Sequence, residues 1–267
     1  MELDIKKMDE TFKKFKAETP IFDINCYLSL YYDKEDILED VITPPEQFLK
    51  EGINKLVLAN KRGMVNQSFA FSNNELFERV ATNDAFYAAP IVVPEMNLAG
   101  EKFADTLDEM IAKKAVIMRM FPMHYKHSMK KWQIGDILKA MEERKIPLML
   151  WHTQINWDDV AEIAENYPKL PIIIEGSDQK TIYYARYVMG LCEKYPNIYL
   201  EMHNFSQYGF LPYMLEHVGY ERMLFGSFSP YNDMNGVLHM IYNHTNEEQR
   251  NGILSKNFEK LMAEIVR

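Results

Sequence analysis

The sequence lacks several features that would assign a class of protein directly. Its 267 residues include two cysteines, and no apolar run approaches the ~20 residues of a membrane-spanning helix. Neither a disulfide framework nor a membrane partner is therefore expected. Basic residues are also scarce, with 30 Lys and Arg against 39 Asp and Glu and a net charge of -9, which argues against a nucleic acid partner. No low-complexity tract or Pro/Gly/Ser-rich linker marks a domain boundary.

The chain starts with a charged segment, "MELDIKKMDETFKKFKAETP". Its amphipathic pattern predicts a helix over residues 1–20, and it has no apolar h-region of a signal peptide, so we expect a cytoplasmic protein. Hydrophobic residues make up 47% and charged residues 26%, which is typical of a globular chain. We therefore expect one domain over residues 1–267, with residues 1–20 as an N-terminal extension.

Short apolar runs alternate with amphipathic segments of helical length along the rest of the chain. Such alternation predicts parallel strands joined by helical crossovers. Eight strands are predicted, namely "IFDINCYL", "KLVLAN", "FYAAPIVV", "AVIMRMF", "PLMLWHT", "PIIIEG", "NIYLEMH" and "MLFGSF".

Eight such units in a chain of this size favour a closed barrel over an open, doubly wound sheet. An open sheet would be expected to carry a glycine-rich phosphate loop after an early strand, and neither "DINCYLSL" nor "LANKRGMVNQ" provides one. The predicted fold is α/β, a single (β/α)8 TIM barrel with an extra N-terminal helix.

Polar residues cluster where the predicted strands end, which is where barrel enzymes place their chemistry. These strand-end residues are Asn25, Tyr27, Arg119, His124, His152, Thr153, Gln154, Glu175, Ser177, Asp178, Glu201, His203, Asn204, Ser227 and Ser229, with Phe228 between the last two.

The order and spacing of several segments resemble the amidohydrolase-related family of metal-dependent TIM-barrel enzymes, which includes decarboxylases and lactone hydrolases. The similar segments are "PPEQFLKEGINKLVLAN", "ERVATNDAFYAAPIVVPE", "ILKAMEERKIPLMLWHT", "VGYERMLFGSFSP" and "EEQRNGILSKNFEKLM". The resemblance implies the barrel, a divalent metal ion and hydrolase or lyase chemistry.

The metal site implied by this resemblance is not retained. A typical member binds its ion through two histidines of the first strand, one at the end of the fifth, often one at the end of the sixth, and an aspartate in a Gly-Ser-Asp-x-Pro turn after the eighth. Here the first-strand positions are Asn25 and Tyr27, and His152 matches the fifth-strand histidine. The sixth-strand position falls at or next to Gly176, and Phe228 stands in place of the aspartate.

These replacements remove both the metal and the base of the family's mechanism. A catalytic divalent ion needs three or more protein ligands, and the missing aspartate also takes the proton from the attacking water in the family. No metal site and no cofactor are therefore expected. The predicted catalytic residues are His152, Tyr27 and Arg119, for metal-free acid/base chemistry and for holding a substrate anion, although Arg119 could equally form a salt bridge with Glu175 or Glu201. The predicted substrate-binding residues are Asn25, His124, Gln154, Glu175, His203 and Phe228.

Three functional hypotheses follow. The first is a divergent barrel that binds a small anionic or aromatic molecule without the usual metal. The second is an active hydrolase or decarboxylase with one divalent ion, such as zinc, in a site rebuilt around His152, Glu175 and His203. The third is a scaffold that forms a homo-oligomer through its barrel wall or its N-terminal helix.

Overall fold

The structure is a computed structural model that describes residues 5–28, 44–97, 102–176, 184–205 and 208–267. Its eight strands are parallel and form two hydrogen-bonded sheets, with the orders β1-β2-β3 and β4-β5-β6-β7-β8. The strands are β1 (Phe22–Tyr27), β2 (Lys55–Ala59), β3 (Phe86–Ala88), β4 (Met118–Met120), β5 (Leu148–Trp151), β6 (Ile172–Glu175), β7 (Ile198–Glu201) and β8 (Met223–Leu224).

Isolated parallel bridges join the two sheets at both of their edges. Ala88 bridges to Ala115 between β3 and β4, and Cys26 bridges to Ser229 beyond the end of β8. At the second seam the amide of Ile24 donates to the carbonyl of Phe225 over 3.1 Å. The sheet therefore closes on itself, which confirms the predicted (β/α)8 barrel.

Helices alternate with the strands and cover the outside of the barrel. The described helices are α1 (Ile5–Glu18), α2 (Glu46–Lys50), α3 (Lys61–Asn66), α4 (Phe69–Val80), α5 (Phe103–Ala112), α6 (Lys131–Glu143), α7 (Trp157–Asn166), α8 (Ala185–Lys194), α9 (Phe210–His217), α10 (Met234–His244), α11 (Glu247–Asn251) and α12 (Asn257–Ala263), with a π-helical turn over Gly252–Lys256. Several begin at side-chain caps, as at α7, where Asn156 accepts from the amide of Asp158. Within the described residues, no helix is both long and apolar enough to cross a membrane.

The predicted N-terminal helix is present as α1, and it packs on the barrel wall. Phe12 stacks on the ring of His239 with centroids 3.6 Å apart, and Phe15 contacts Tyr242 at 4.8 Å. Both phenylalanines are buried. The apolar face of α1 is thus covered by α10 of the same chain.

The eighth strand is shorter than the prediction, which extended it to Phe228. The chain continues along β1 after Leu224, and Phe228 adopts a positive φ of 59° there. Its amide still donates to the carbonyl of Asn25 over 2.8 Å. This backbone turn places the Phe228 side chain at the barrel mouth.

Candidate functional site

The carboxyl ends of β1, β4, β6 and β7 bring a cluster of polar side chains into the barrel. We call this the central cluster, and it is defined by Asn25, Arg119, Glu175, Glu201 and His203. Each of these residues is at most 5% exposed. Buried charges are stable only when they are paired or hydrogen-bonded, so the partners within the cluster determine its chemistry.

The amide of Asn25 lies between the two carboxylates. Its Nδ2 donates to Oε1 of Glu175 over 2.8 Å and to Oε2 of Glu201 over 3.2 Å. Its Oδ1 accepts from Nη1 of Arg119 over 3.2 Å. A flipped amide would turn its oxygen toward two anions and its NH2 group toward a cation, so the contacts at both ends fix the orientation.

Arg119 is the cation of the central cluster. Its Nη2 donates to Oε2 of Glu175 in a fully buried ion pair and to the hydroxyl of Tyr27 over 2.8 Å. Its Nε–H group is also buried and has no hydrogen-bond partner among the described residues. The guanidinium thus neutralises Glu175.

Glu201 is held by the residues that follow it. It forms an ion-pair contact with Nδ1 of His203 and accepts from the amide of His203 over 2.8 Å. A Cβ atom at Gly226 would lie 2.6 Å from Cδ of Glu201, so the chain after β8 needs glycine where it passes this carboxylate. The position of Glu201 is therefore fixed from two sides.

Burial shifts the protonation equilibria of Glu175 and Tyr27. Desolvation raises the pKa of Glu175 above its ordinary value, and the Arg119 guanidinium acts against that rise. Desolvation likewise raises the pKa of Tyr27 well above its ordinary value. Tyr27 therefore remains a neutral phenol, which is a poor ligand for a divalent ion.

Three residues of the central cluster have side chains of the kind that bind divalent ions. One ligand atom each from Glu175, Glu201 and His203 lie within 4.8 Å of one another, as a metal site requires. However, Nδ2 of Asn25 approaches all three, at 2.8, 3.2 and 3.5 Å, and Arg119 binds the other oxygen of Glu175. N–H donors and a metal ion cannot share the same lone pairs, so these residues do not fit the family's ion as they stand.

Aromatic rings surround the cluster at the mouth. The ring of Phe228 stacks on His203 with centroids 4.5 Å apart and meets the ring of Tyr27 edge to face at 5.2 Å. The ammonium of Lys61, just after β2, lies 4.0 Å from the ring centroid of Tyr231 and 5.7 Å from that of Trp151. An apolar wall with one ammonium group is a suitable environment for a planar anion.

His152 occupies the end of β5 but bonds to the main chain. Its Nδ1 lies 3.3 Å from the carbonyl oxygen of Glu175, and its ring is 5.4 Å from that of Tyr184. His124 and Gln154 are farther out, where the amide of His124 donates to Oε1 of Gln154 over 3.0 Å. Within the described chain, no hydrogen bond links that pair to the central cluster.

The predicted site residues therefore fall into two groups. Asn25, Tyr27, Arg119, Glu175 and His203 meet in or beside the central cluster, with Phe228 stacked on it. His152 reaches only its edge, and Ser177 and Asp178 lie outside the described residues. Glu201 was predicted as a strand-end residue but not as a catalytic or substrate-binding one, and Lys61 was not predicted. Period-two alternation already predicted that Glu201 and His203 share one face of their strand. The position of Lys61 directly after a predicted strand was the only signal for that residue.

Asp23 lies on β1 two residues before Asn25, and its carboxylate connects β1 to the segment after β8 through hydrogen bonds. It accepts from Oγ of Ser227 over 2.5 Å and from the amides of Ser227 and Asn25 over 3.0 Å each. Burial raises the pKa of this carboxyl to about 6 from 3.8, against the opposing effect of these hydrogen bonds.

This shift predicts a pH-dependent stability. Between pH 3.8 and 6 the folded chain holds a proton on Asp23 that the unfolded chain has released, so the free energy of unfolding falls as the pH rises through this window. The fall attributable to Asp23 is about 3 kcal/mol. In urea unfolding, Asp23→Asn should therefore gain about that much relative to the wild type between pH 4 and 7. The exposed variant Asp136→Asn serves as control, and a constant difference for Asp23→Asn would contradict the assignment.

Comparison with known proteins places this chain in a family. The family model described as amidohydrolase matches residues 54–261, which is more than half of the chain and begins after β1. No curated protein sequence matches the chain.

Solved structures share the fold at low sequence identity. A 5-carboxyvanillate decarboxylase from Novosphingobium aromaticivorans, with manganese and 4-hydroxy-3-methoxy-5-nitrobenzoic acid, is 12% identical with a TM-score of 0.70, covering 92% of this chain and 97% of that one. A dihydroxybenzoic acid decarboxylase from Polaromonas, with manganese and 2-nitroresorcinol, is 12% identical with a TM-score of 0.68, and the match covers 92% of this chain and 97% of that one. A candidate 2-pyrone-4,6-dicarboxylic acid hydrolase from Pseudomonas putida is also 12% identical, with a TM-score of 0.65, and the match covers 94% of this chain and 100% of that one. The shared barrel and the extent of the family match lead to one conclusion: the chain belongs to the amidohydrolase family.

Proposed function

We propose that this protein is a divergent amidohydrolase-family barrel in which Arg119 and Asn25 take the place of the divalent ion, and that its mouth binds a small anionic or aromatic molecule. The observation that carries the proposal is the amide of Asn25, which donates to both Glu175 and Glu201 while it accepts from Arg119. A neutral amide and a fixed guanidinium satisfy the carboxylates that an ion would otherwise bridge.

The charges of the cluster support this substitution. Arg119 carries one positive charge against the two carboxylates of Glu175 and Glu201. His203 forms an ion-pair contact with Glu201 and carries a positive charge when its ring is protonated. A protonated His203 would make the cluster neutral without any added ion. Adding a divalent cation beside the Arg119 guanidinium would introduce repulsion that a low-dielectric interior screens poorly.

The ligand would lie at the barrel mouth, against the aromatic rings and within reach of Lys61. The ammonium of Lys61 is the charged donor at the mouth, and such donors bind carboxylates more strongly than neutral ones do. The rings of Tyr27, Trp151 and Phe228 meet edge to face or at a tilt and offer an apolar lining. His152, at the edge of the site, is the group that would exchange a proton with the ligand if the protein is catalytic.

A matched pair of ligands tests the binding proposal. Benzoate and its neutral isostere benzamide would be titrated against the purified protein by calorimetry, with tryptophan fluorescence as the second readout because Trp151 lies in the wall. Benzoate should bind about tenfold or more tightly than benzamide, since hydrogen bonds to charged groups contribute about 1.5–3 kcal/mol. Lys61→Gln should weaken benzoate and leave benzamide unchanged, whereas Lys139→Gln on the outer face of α6 should change neither. Equal affinities for the two ligands, or no binding of either, would count against the proposal.

The second candidate is a metal-dependent hydrolase or decarboxylase with a rebuilt site. The specific observation in its favour is the approach of ligand atoms of Glu175, Glu201 and His203 to within 4.8 Å. In that case the ion would have to displace the amide of Asn25, and His152 would not be needed as a ligand. Metal content separates the two candidates, because only this one requires a bound ion.

A further inference from the structure

We infer that the rim of the barrel beside β4, β5 and β6 is an isologous interface that pairs this chain with a second copy of itself. Five apolar side chains that follow these three strands form the interface, and we call them the apolar band: Met123, Trp132, Ile155, Trp157 and Tyr187. Neither Lys61 nor any residue of the central cluster belongs to the band, so the interface is independent of the function proposed above.

The apolar band exposes side chains that a folded chain usually buries. Trp132 in the first turn of α6 is 78% exposed, Met123 in the loop after β4 is 59% exposed, and Tyr187 in the first turn of α8 is 58% exposed. Aromatic and methionine side chains are enriched at protein interfaces, where tryptophan and tyrosine are common hot spots. These side chains are therefore suited to contact another protein surface.

The members of the band are connected across three consecutive strand-helix units. The ring of Tyr187 stacks on that of Trp157 at the start of α7, with centroids 5.9 Å apart and planes 10° from parallel. Met123 and Ile155 line one cavity together with Lys130, which directly precedes α6. The band therefore runs from the start of α6 past the start of α7 to the start of α8.

The charges beside the band are self-complementary. The ammonium of Lys130 lies 2.8 Å from a carboxylate oxygen of Asp159, and this ion pair joins the starts of α6 and α7. The neighbours of the pair in sequence are Lys131 and Asp158, which are both exposed and have no ion-pair partner within the part of the chain that the structure describes. A two-fold axis near the pair would place Lys131 of each copy opposite Asp158 of the other.

The same axis matches the aromatic residues of the band. Trp132 follows Lys131 in the chain, and Trp157 precedes Asp158. The rotation that matches the charges therefore also brings Trp132 of one copy to the stacked rings of Trp157 and Tyr187 of the other. Aromatic contacts of this kind bury a large apolar area, and the two-fold axis makes each of them twice.

Sedimentation velocity tests the interface, and charge reversal tests its symmetry. The wild-type chain should dimerise within the range up to about 100 μM, and Trp132→Ser should raise the dissociation constant of the dimer about tenfold or more. Lys131→Asp and Asp158→Lys should each weaken the dimer, because each variant alone brings like charges together at both contacts. An equimolar mixture of the two variants should form dimers again, since opposite charges then face each other at both contacts.

The matched control is Lys139→Asp, which reverses an exposed charge elsewhere on α6 and should leave the dimer unchanged. Circular dichroism of each variant shows that its fold is retained. A wild-type chain that stays monomeric over the whole concentration range, or a dimer that Trp132→Ser does not weaken, would overturn the interface. Charge-reversal variants that weaken the dimer but do not recover on mixing would overturn its two-fold symmetry.

Discussion

Replacing Arg119 with methionine should lower the free energy of unfolding by about 3–5 kcal/mol, because it leaves the buried carboxylate of Glu175 without its cation. Arg119 is 1% exposed and Glu175 is fully buried, so water cannot replace the lost contacts. The variant also removes the donors to Tyr27 and Asn25. Urea unfolding at pH 7, monitored by circular dichroism, measures the loss.

A second replacement shows whether the uncompensated charge is the cause. In Arg119→Met/Glu175→Gln the carboxylate is gone as well, and a large part of the lost stability should return, since replacing both partners of a buried pair is far less costly than removing one. Arg62→Met serves as the matched control, because its pair with Glu75 has side chains 39% and 38% exposed. Pairs of that kind contribute less than about 1 kcal/mol. A loss of similar size in Arg119→Met and Arg62→Met, or no recovery in the double variant, would refute the role given to Arg119.

The barrel was predictable from the sequence because alternation of strands and helices is a local signal. Parallel order then brings the strand ends together, and this was enough to place Asn25, Arg119, Glu175 and His203 in one region. The predicted alternatives for Arg119 were a ligand contact and a salt bridge. The structure has the salt bridge to Glu175 and an Nε–H without a partner among the described residues.

Other features of the site depend on tertiary contacts that spacing cannot predict. The orientation of the Asn25 amide is set by groups 94, 150 and 176 residues away along the chain. The positive φ of Phe228 and the need for glycine at position 226 arise where the chain passes β1 and Glu201. His124 directly follows a strand region, but the loop turns its amide toward Gln154, and that turn has no pattern in the sequence.

The central claim is that the Asn25 amide and the Arg119 guanidinium take the place of a divalent ion, and metal content tests it most directly. Wild-type protein, purified without chelator or metal-affinity resin, would be soaked in zinc or manganese, desalted and analysed by elemental mass spectrometry. Arg119→Met, its folding confirmed by circular dichroism, would be treated in parallel, because losing the guanidinium leaves Glu175, Glu201 and His203 able to attract a cation. The account predicts far less than one ion per wild-type chain and a clear increase in Arg119→Met. Near one ion per wild-type chain, lost in Glu201→Gln, would contradict the account and establish the rebuilt metal site instead.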